Sequence, residues 1–225
     1  MKISIIIPVL NEALYIGKTL EALQSLRSRG HEVIVVDGGS SDGSPDLAIP
    51  YADKILHAPR GRGRQMNAGA SVATGDVLLF LHGDTLLPDQ GDRLILEGLG
   101  RHQRSWGRFD VRLSGDHFLL RAVAFLMNWR SRVSGIATGD QALFVTRELF
   151  EKVGGFKAIE LMEDIEFSKR LKRYGSPLCL WQRVITSSRR WEGKGIFRTI
   201  ALMWFLRLAY FLKASPKWLA KLYDS

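Results

Sequence analysis

Cysteine is almost missing from this 225-residue chain: Cys179 stands alone, so no internal disulfide can form and a disulfide-stapled secreted scaffold is excluded. Proline is scarce, at seven residues, and there is no low-complexity linker and no internal repeat, which argues against disordered or solenoid organisation. No charged-then-apolar leader precedes the first apolar run, Ile3 to Ile7. Long hydrophobic runs are also lacking. The strongest, residues 196–212, is interrupted by Arg198 and Arg207 and falls short of the roughly twenty apolar residues that a membrane span needs. The expectation is a cytosolic protein.

What the chain does hold is a large apolar fraction, 46%, enough for the core of one domain with a tail. Its net charge of +9 is unevenly spread. Residues 1–100 carry 9 Lys+Arg against 12 Asp+Glu, and residues 101–225 carry 23 against 11. A basic second half suits nucleic acid, anionic lipid or a phosphorylated substrate, and charge alone does not choose among them.

The first half alternates between the two periodicities. Lys2–Ile7 reads as a strand ended by Pro8, Ala13–Arg29 as a helix stopped by Gly30, and Glu32–Val36 as the second strand. Ala52–Ala58 and Asp76–Leu81 continue as strands, with a short helix over Gln65–Ala73 between them. This βαβ order predicts a parallel sheet with right-handed crossovers. Further on come a helix near Asp89–Leu99, a strand at Gly107–Leu113, an apolar helix from Phe118 to Trp129, a strand at Gln141–Val145 and a helix at Glu163–Tyr174.

Three acidic clusters follow apolar runs in order: Asp37 after Val33–Val36, Asp84 after Val77–Leu81, and Glu163-Asp164 at a helix start. Carboxylates at the carboxyl ends of buried strands sit where open α/β sheets bind ligands, so the three point to one crevice. Each has an ordinary structural alternative as a turn or helix cap. Arg60-Gly61-Arg62-Gly63-Arg64 adds a short Gly loop with three arginines before a helix, an anion cradle without the interleaved aromatics expected of a single-stranded nucleic-acid surface.

Pro8-Val9-Leu10-Asn11-Glu12, then Val35-Val36-Asp37-Gly38-Gly39-Ser40-Ser41-Asp42, then Leu81-His82-Gly83-Asp84, and finally Gly154-Gly155-Phe156 followed by Glu163-Asp164, resemble the inverting glycosyltransferases of family 2, a small bacterial subgroup in particular. The resemblance implies the GT-A fold of nucleotide-diphospho-sugar transferases, an α/β, Rossmann-like and mostly parallel sheet flanked by helices. It also implies a nucleotide-sugar donor, UDP- or GDP-linked, and Mg²⁺ or Mn²⁺. Asp164 is implied as the base that deprotonates an acceptor hydroxyl, with Glu163 supporting it. Pro8, Glu12, Asp37 and Gly39 would line the nucleoside pocket, Arg64 and Asn67 the diphosphate. His82, Gly83 and Asp84 fall where the family has a metal-binding Asp-x-Asp; only the last carboxylate is present, so Asp84 is the expected metal ligand.

Asp140 and Gln141 are expected sugar or acceptor contacts, as are Arg190 and Trp191, which lie in a stretch similar to the Gln-x-x-Arg-Trp motif of processive members. Ser187 stands where that Gln belongs, which argues against processive synthesis. A catalytic domain over residues 1–190 and a basic helical tail over 191–225 are expected. The tail holds interleaved aromatics, so it suits either anionic lipid at the inner membrane face, with a lipid-linked acceptor, or packing against the domain. Two other classes fit part of the pattern: a non-catalytic basic module for membrane or nucleic acid, and a nucleotidyltransferase.

Overall fold

The computed structural model describes residues 1–224. In chain order the elements are β1 Ile3–Val9, α1 Ala13–Ala22, α2 Gln24–Ser28, β2 Glu32–Asp37, α3 Ser44–Ala48, β3 Lys54–His57, α4 Arg62–Val72, β4 Val77–Phe80, β5 Thr85–Leu86 and α5 Gly91–His102. There follow β6 Trp106–Leu113, α6 Phe118–Ser134, β7 Phe144–Thr146, α7 Arg147–Lys152, α8 Glu163–Leu171, β8 Leu178–Thr186, α9 Arg189–Gly193, α10 Ile196–Phe211 and α11 Pro216–Asp224.

The strands form one sheet in the order β3-β2-β1-β4-β7-β6-β8-β5. The β3-β2-β1-β4 half is parallel, as the alternating pattern requires, whereas β4-β7, β7-β6 and β8-β5 are antiparallel. β1, β2 and β4 are buried along their whole length, which is why they read as unbroken apolar runs. One core layer packs α1, α5 and α6 on one face of the sheet; the other packs α4, α7 and α8 on the opposite face.

Several boundaries move for identifiable reasons. Pro8 does not end β1, which continues to Val9. Pairing with β4 stops at Ile6, so beyond it that edge needs no amide donor and proline fits. The single helix expected over Ala13–Arg29 is broken at Leu23, where the Gln24 side chain donates to the carbonyls of Leu20 and Tyr51 and competes with the helical ladder. The expected strand at Gln141–Val145 shrinks to Phe144–Thr146 because Thr138 and Gln141 form a reciprocal cap around a 3-10 turn. β8 has no clear alternation; it carries a bulge, since its pairing with β6 jumps from Leu180 to Arg183 and leaves Trp181 exposed.

The last helices lean on the body of the protein. Leu206 of α10 and Leu219 of α11 are fully buried against Leu161, Met162 and Ile165, at the entrance to α8. The opposite side of α10 leaves Phe197, Trp204, Phe205, Leu208 and Phe211 at least half exposed. Among the described residues no helix is long and apolar enough to cross a membrane.

Candidate active site

Three adjoining cavities open where the parallel strands end. The largest of them, about 480 Å³, is lined by Pro8 and Leu10 at the end of β1, by Arg60, Arg62 and Arg64 at the start of α4, and by Arg190. A second, about 130 Å³, holds Glu12, His82, Asp84, Asp140, Arg189 and Trp191. A third, about 80 Å³, reaches Glu163, Asp164 and Arg207. Arg62 and Tyr223 line all three, so they mark the junction. The topology thus gathers arginines, the strand-end Asp84 and the paired carboxylates Glu163 and Asp164 around one junction.

Asp37 ends β2 and is 2% exposed. Its carboxylate accepts the amide hydrogens of Gly39 and Ser40 and lies 3.4 Å from His57. Burial works against its charge, but these bonds outweigh it and hold the pKa below the usual carboxylate range. Gly39, at φ +96°, turns the loop under it. Asp37 therefore builds the loop beside the large cavity rather than lining the cavity itself.

In the middle cavity, Arg189 donates to Glu12 and stands 3.4 Å from Asp84, bridging the two acids. His82 faces Asp140, ring nitrogen to carboxylate at 3.4 Å. Burial opposes the Asp140 charge, yet the His82 contact and the charges of Arg62 and Arg207 lower its pKa. A Cβ at Gly139 would lie 2.4 Å from Nε2 of His82, so only glycine allows this approach.

The paired carboxylates open α8 after Met162, which takes the left-handed conformation at φ 71°. Asp164 accepts amide hydrogens from Gly139 at 2.9 Å and from Ile165 at 2.7 Å, which fix the direction of its carboxylate. Glu163 is buried, and burial followed by the charge of Asp164 pushes its pKa up to about 7. Near neutral pH Glu163 therefore keeps a proton part of the time, beside an Asp164 carboxylate fixed by two amides in the same cavity.

Besides Asp37 and Gly39, which shape the neighbouring loop, two further expected contacts do not line the crevice. The amide of Asn67 is fully engaged with the backbone of Phe156, as donor at 2.8 Å and acceptor at 2.9 Å, and pins the Gly154-Gly155-Phe156 turn to α4. Gln141 is fully buried, its amide bonded to Thr138 and Asn128. Both corrections have one cause: an amide beside a tight turn satisfies the turn's own backbone groups first.

Sequence reasoning named Arg62 only as one of three loop arginines, and it passed over Arg189, Arg207 and Tyr223. Arg62 and Arg64 stand two apart at the start of a helix and so diverge, and the sequence does not say which one faces inward. Burial opposes the charge of Arg62, but Tyr223, Glu163, Asp140 and Asp164 around it keep its pKa raised. Tyr223 has no local signal; it arrives from α11, its ring 3.4 Å from the Arg190 guanidinium.

Among the described residues no three His, Cys, Asp or Glu side chains converge as a metal site. Asp84 is a hard oxygen ligand lining the middle cavity, and Mg²⁺ or Mn²⁺ needs few protein ligands when phosphate oxygens complete its shell. The residues present fit an ion of that kind shared with a bound diphosphate.

Residues 4–160 match the family model described as Glycosyl transferase family 2. A PGL/p-HBAD biosynthesis glycosyltransferase of Mycobacterium tuberculosis is 29% identical over 221 residues, covering 91% of this chain and 82% of that protein. A probable glycosyltransferase of Bacillus subtilis, YdaM, is 26% identical over 85% of this chain and 50% of its own length. Among solved structures, S. aureus TarS 1-349 in complex with UDP-GlcNAc superposes with TM-score 0.66 at 17% identity, covering 83% of this chain and 58% of that one. The mannosyltransferase PcManGT from Pyrobaculum calidifontis, in complex with GDP-Man and Mn²⁺, superposes with TM-score 0.63 at 20% identity, covering 81% and 56%. The chain thus spans less than two thirds of these solved chains, and the fold they share with it is that of GT-A glycosyltransferases.

Proposed function

Because the chain belongs to glycosyl transferase family 2 and is a glycosyltransferase, we propose that it moves a sugar from a UDP- or GDP-linked donor to an acceptor hydroxyl, with inversion at the anomeric carbon. The observation that carries this reading is that arginines, Asp84 and Asp164 line cavities that meet at Arg62 and Tyr223. Nucleotide sugars bound to TarS and to PcManGT support the donor class.

In this reading the nucleoside lies in the large cavity against Pro8 and Leu10, bordered by the loop that Asp37 and Gly39 hold. Arg60, Arg62, Arg64 and Arg190 face the diphosphate, whose charge grows as the glycosidic bond breaks; fixed guanidinium forks stabilise that charge without reorganising. Asp84 would hold Mg²⁺ or Mn²⁺, which supplies Lewis-acid stabilisation of the leaving group when bound. His82 orients Asp140 toward the sugar. Asp164 accepts the acceptor hydroxyl proton, and the amides of Gly139 and Ile165 keep its carboxylate aimed. A base on the face opposite the departing diphosphate gives inversion.

Asp164→Asn tests the assignment. Turnover, read as release of free nucleoside diphosphate, should fall by about 10²-fold or more with donor affinity retained. Near-normal turnover would remove Asp164 as the base, and release of pyrophosphate would identify nucleotidyl transfer instead.

A further inference from the structure

Helix α10 is apolar on nearly every side and is covered on only one. Of its 16 residues only Thr199 and Leu206 are buried. A helix apolar all round belongs inside a protein or against lipid. The inner side of α10 is accounted for, since Met203, Leu206 and Arg207 line the small cavity that holds Glu163 and Asp164. Its outer side carries Trp204 and Phe211, 70% and 75% exposed, with Phe197, Phe205 and Leu208 also at least half exposed. Trp218 of α11 meets Phe205 edge to face, ring centroids 6.2 Å apart, and extends the stripe. Helix α6 packs beside α10 and shows a second stripe, Phe118, Phe125, Trp129 and Val133, each more than half exposed.

The charge around these stripes has one sign. Residues 117–134 hold three arginines, residues 194–221 hold six Lys+Arg, and neither stretch holds an Asp or Glu. Arg121, Arg198, Lys213, Lys217 and Lys221 are exposed, whereas Arg207 turns inward to the crevice. The sign decides between occupants. A two-fold dimer sets a patch against its own copy, so a second chain would bring cations against cations with no carboxylate between them. An anionic bilayer surface matches both features: Trp and Phe seat at the acyl boundary while Lys and Arg attract the headgroups. Among the described residues no helix is long and apolar enough to cross, so the contact runs along the surface.

We propose that this face, α10 with α6 and α11, docks the protein on an anionic lipid bilayer, with α10 lying in the plane of the interface. Docking of this kind is independent of the glycosyl-transfer reading. It occupies the outer side of a helix whose inner side walls the crevice, and so sets Glu163 and Asp164 about one helix diameter, roughly 10 Å, from the lipid.

The test is co-sedimentation of the full chain with vesicles of phosphatidylcholine alone and of phosphatidylcholine mixed equally with phosphatidylglycerol. Wild type should bind the mixed vesicles about tenfold or more tightly than the neutral ones, and raising the salt to about 0.5 M should remove most of that preference. Trp204→Glu and Phe211→Glu should each weaken binding to the mixed vesicles about tenfold or more, because each puts a carboxylate where lipid is met. Both side chains face solvent, so both variants should melt as wild type does. Ile49→Glu makes the same change of charge at an exposed site on α3, which packs against α1 and β2, and should leave vesicle binding unchanged. Equal binding to both vesicle types, no binding to either, or binding that survives in both variants overturns the inference. So does an equal loss in Ile49→Glu, which would make net charge the cause, or a drop of several degrees in melting temperature in both face variants, which would mean that the rings hold the fold. A lipid-free dimer in light scattering that Trp204→Glu dissociates would assign the face to a second copy, and binding of a single-stranded oligonucleotide in place of the vesicles would assign it to nucleic acid; either result overturns the inference as well.

Discussion

Glu163 and Asp164 are adjacent in the chain and have opposite surroundings. Asp164 is held by two backbone amides, while Glu163 is buried beside a like charge and its pKa rises to about 7 from 4.5. The folded protein therefore holds the Glu163 proton more tightly than the unfolded chain does. Its contribution to stability is complete below pH 4.5 and is lost as pH rises through about 7, a change on the order of 3 kcal/mol. Glu163→Gln should remove that segment of the pH profile. The difference in melting temperature between variant and wild type should be small near pH 5 and grow in favour of the variant toward pH 8. A constant difference across that range would mean that Glu163 titrates normally.

At the scale of elements, α11 matters most for the crevice. It is the last described helix, yet its Tyr223 stands at the junction of the three cavities and its carbonyl accepts from Arg190. In the proposed reading a diphosphate bound near Asp84 draws Arg190 from the Tyr223 ring, a cation–π contact of roughly 1 kcal/mol. Tyr223→Ala should therefore tighten nucleotide binding several-fold, with Arg190→Ala weakening it. Weaker binding in the tyrosine variant would show that the ring is a ligand contact and not a competitor. The same scale explains what could be read in advance. β1, β2 and β4 are buried on both faces, and such strands announce themselves as apolar runs. The 3-10 turn at Gly139–Gln141, the bulged β8 and the break at Leu23 follow from side-chain bonds and pairing irregularities that leave no periodic trace.

Across the whole molecule, the order of the acidic clusters was legible because each sits next to an element whose pattern is strong: Asp37 and Asp84 after buried strands, Glu163-Asp164 at an amphipathic helix start. The topology then places β1, β2 and β4 side by side and folds α8 over their ends. What stayed hidden came from far along the chain. Arg189 crosses 177 positions to reach Glu12, and Arg207 and Tyr223 enter from helices whose docking depends on the Leu206 and Leu219 contacts. Long-range placement of this kind is a property of packing, which local spacing does not encode. The basic excess of the second half likewise resolves into particular arginines turned toward the crevice, in addition to a generally charged surface.

In the proposed donor site Asp84 holds a metal ion shared with a diphosphate. The most direct measurement is calorimetric titration of UDP and GDP, with Mn²⁺ present and absent, into wild type and Asp84→Ala. One nucleotide should bind wild type with metal-dependent affinity, and both the metal dependence and most of the binding should vanish in the variant. Binding that is indifferent to Mn²⁺ and to Asp84, or no binding of either nucleotide up to millimolar concentration, would contradict it.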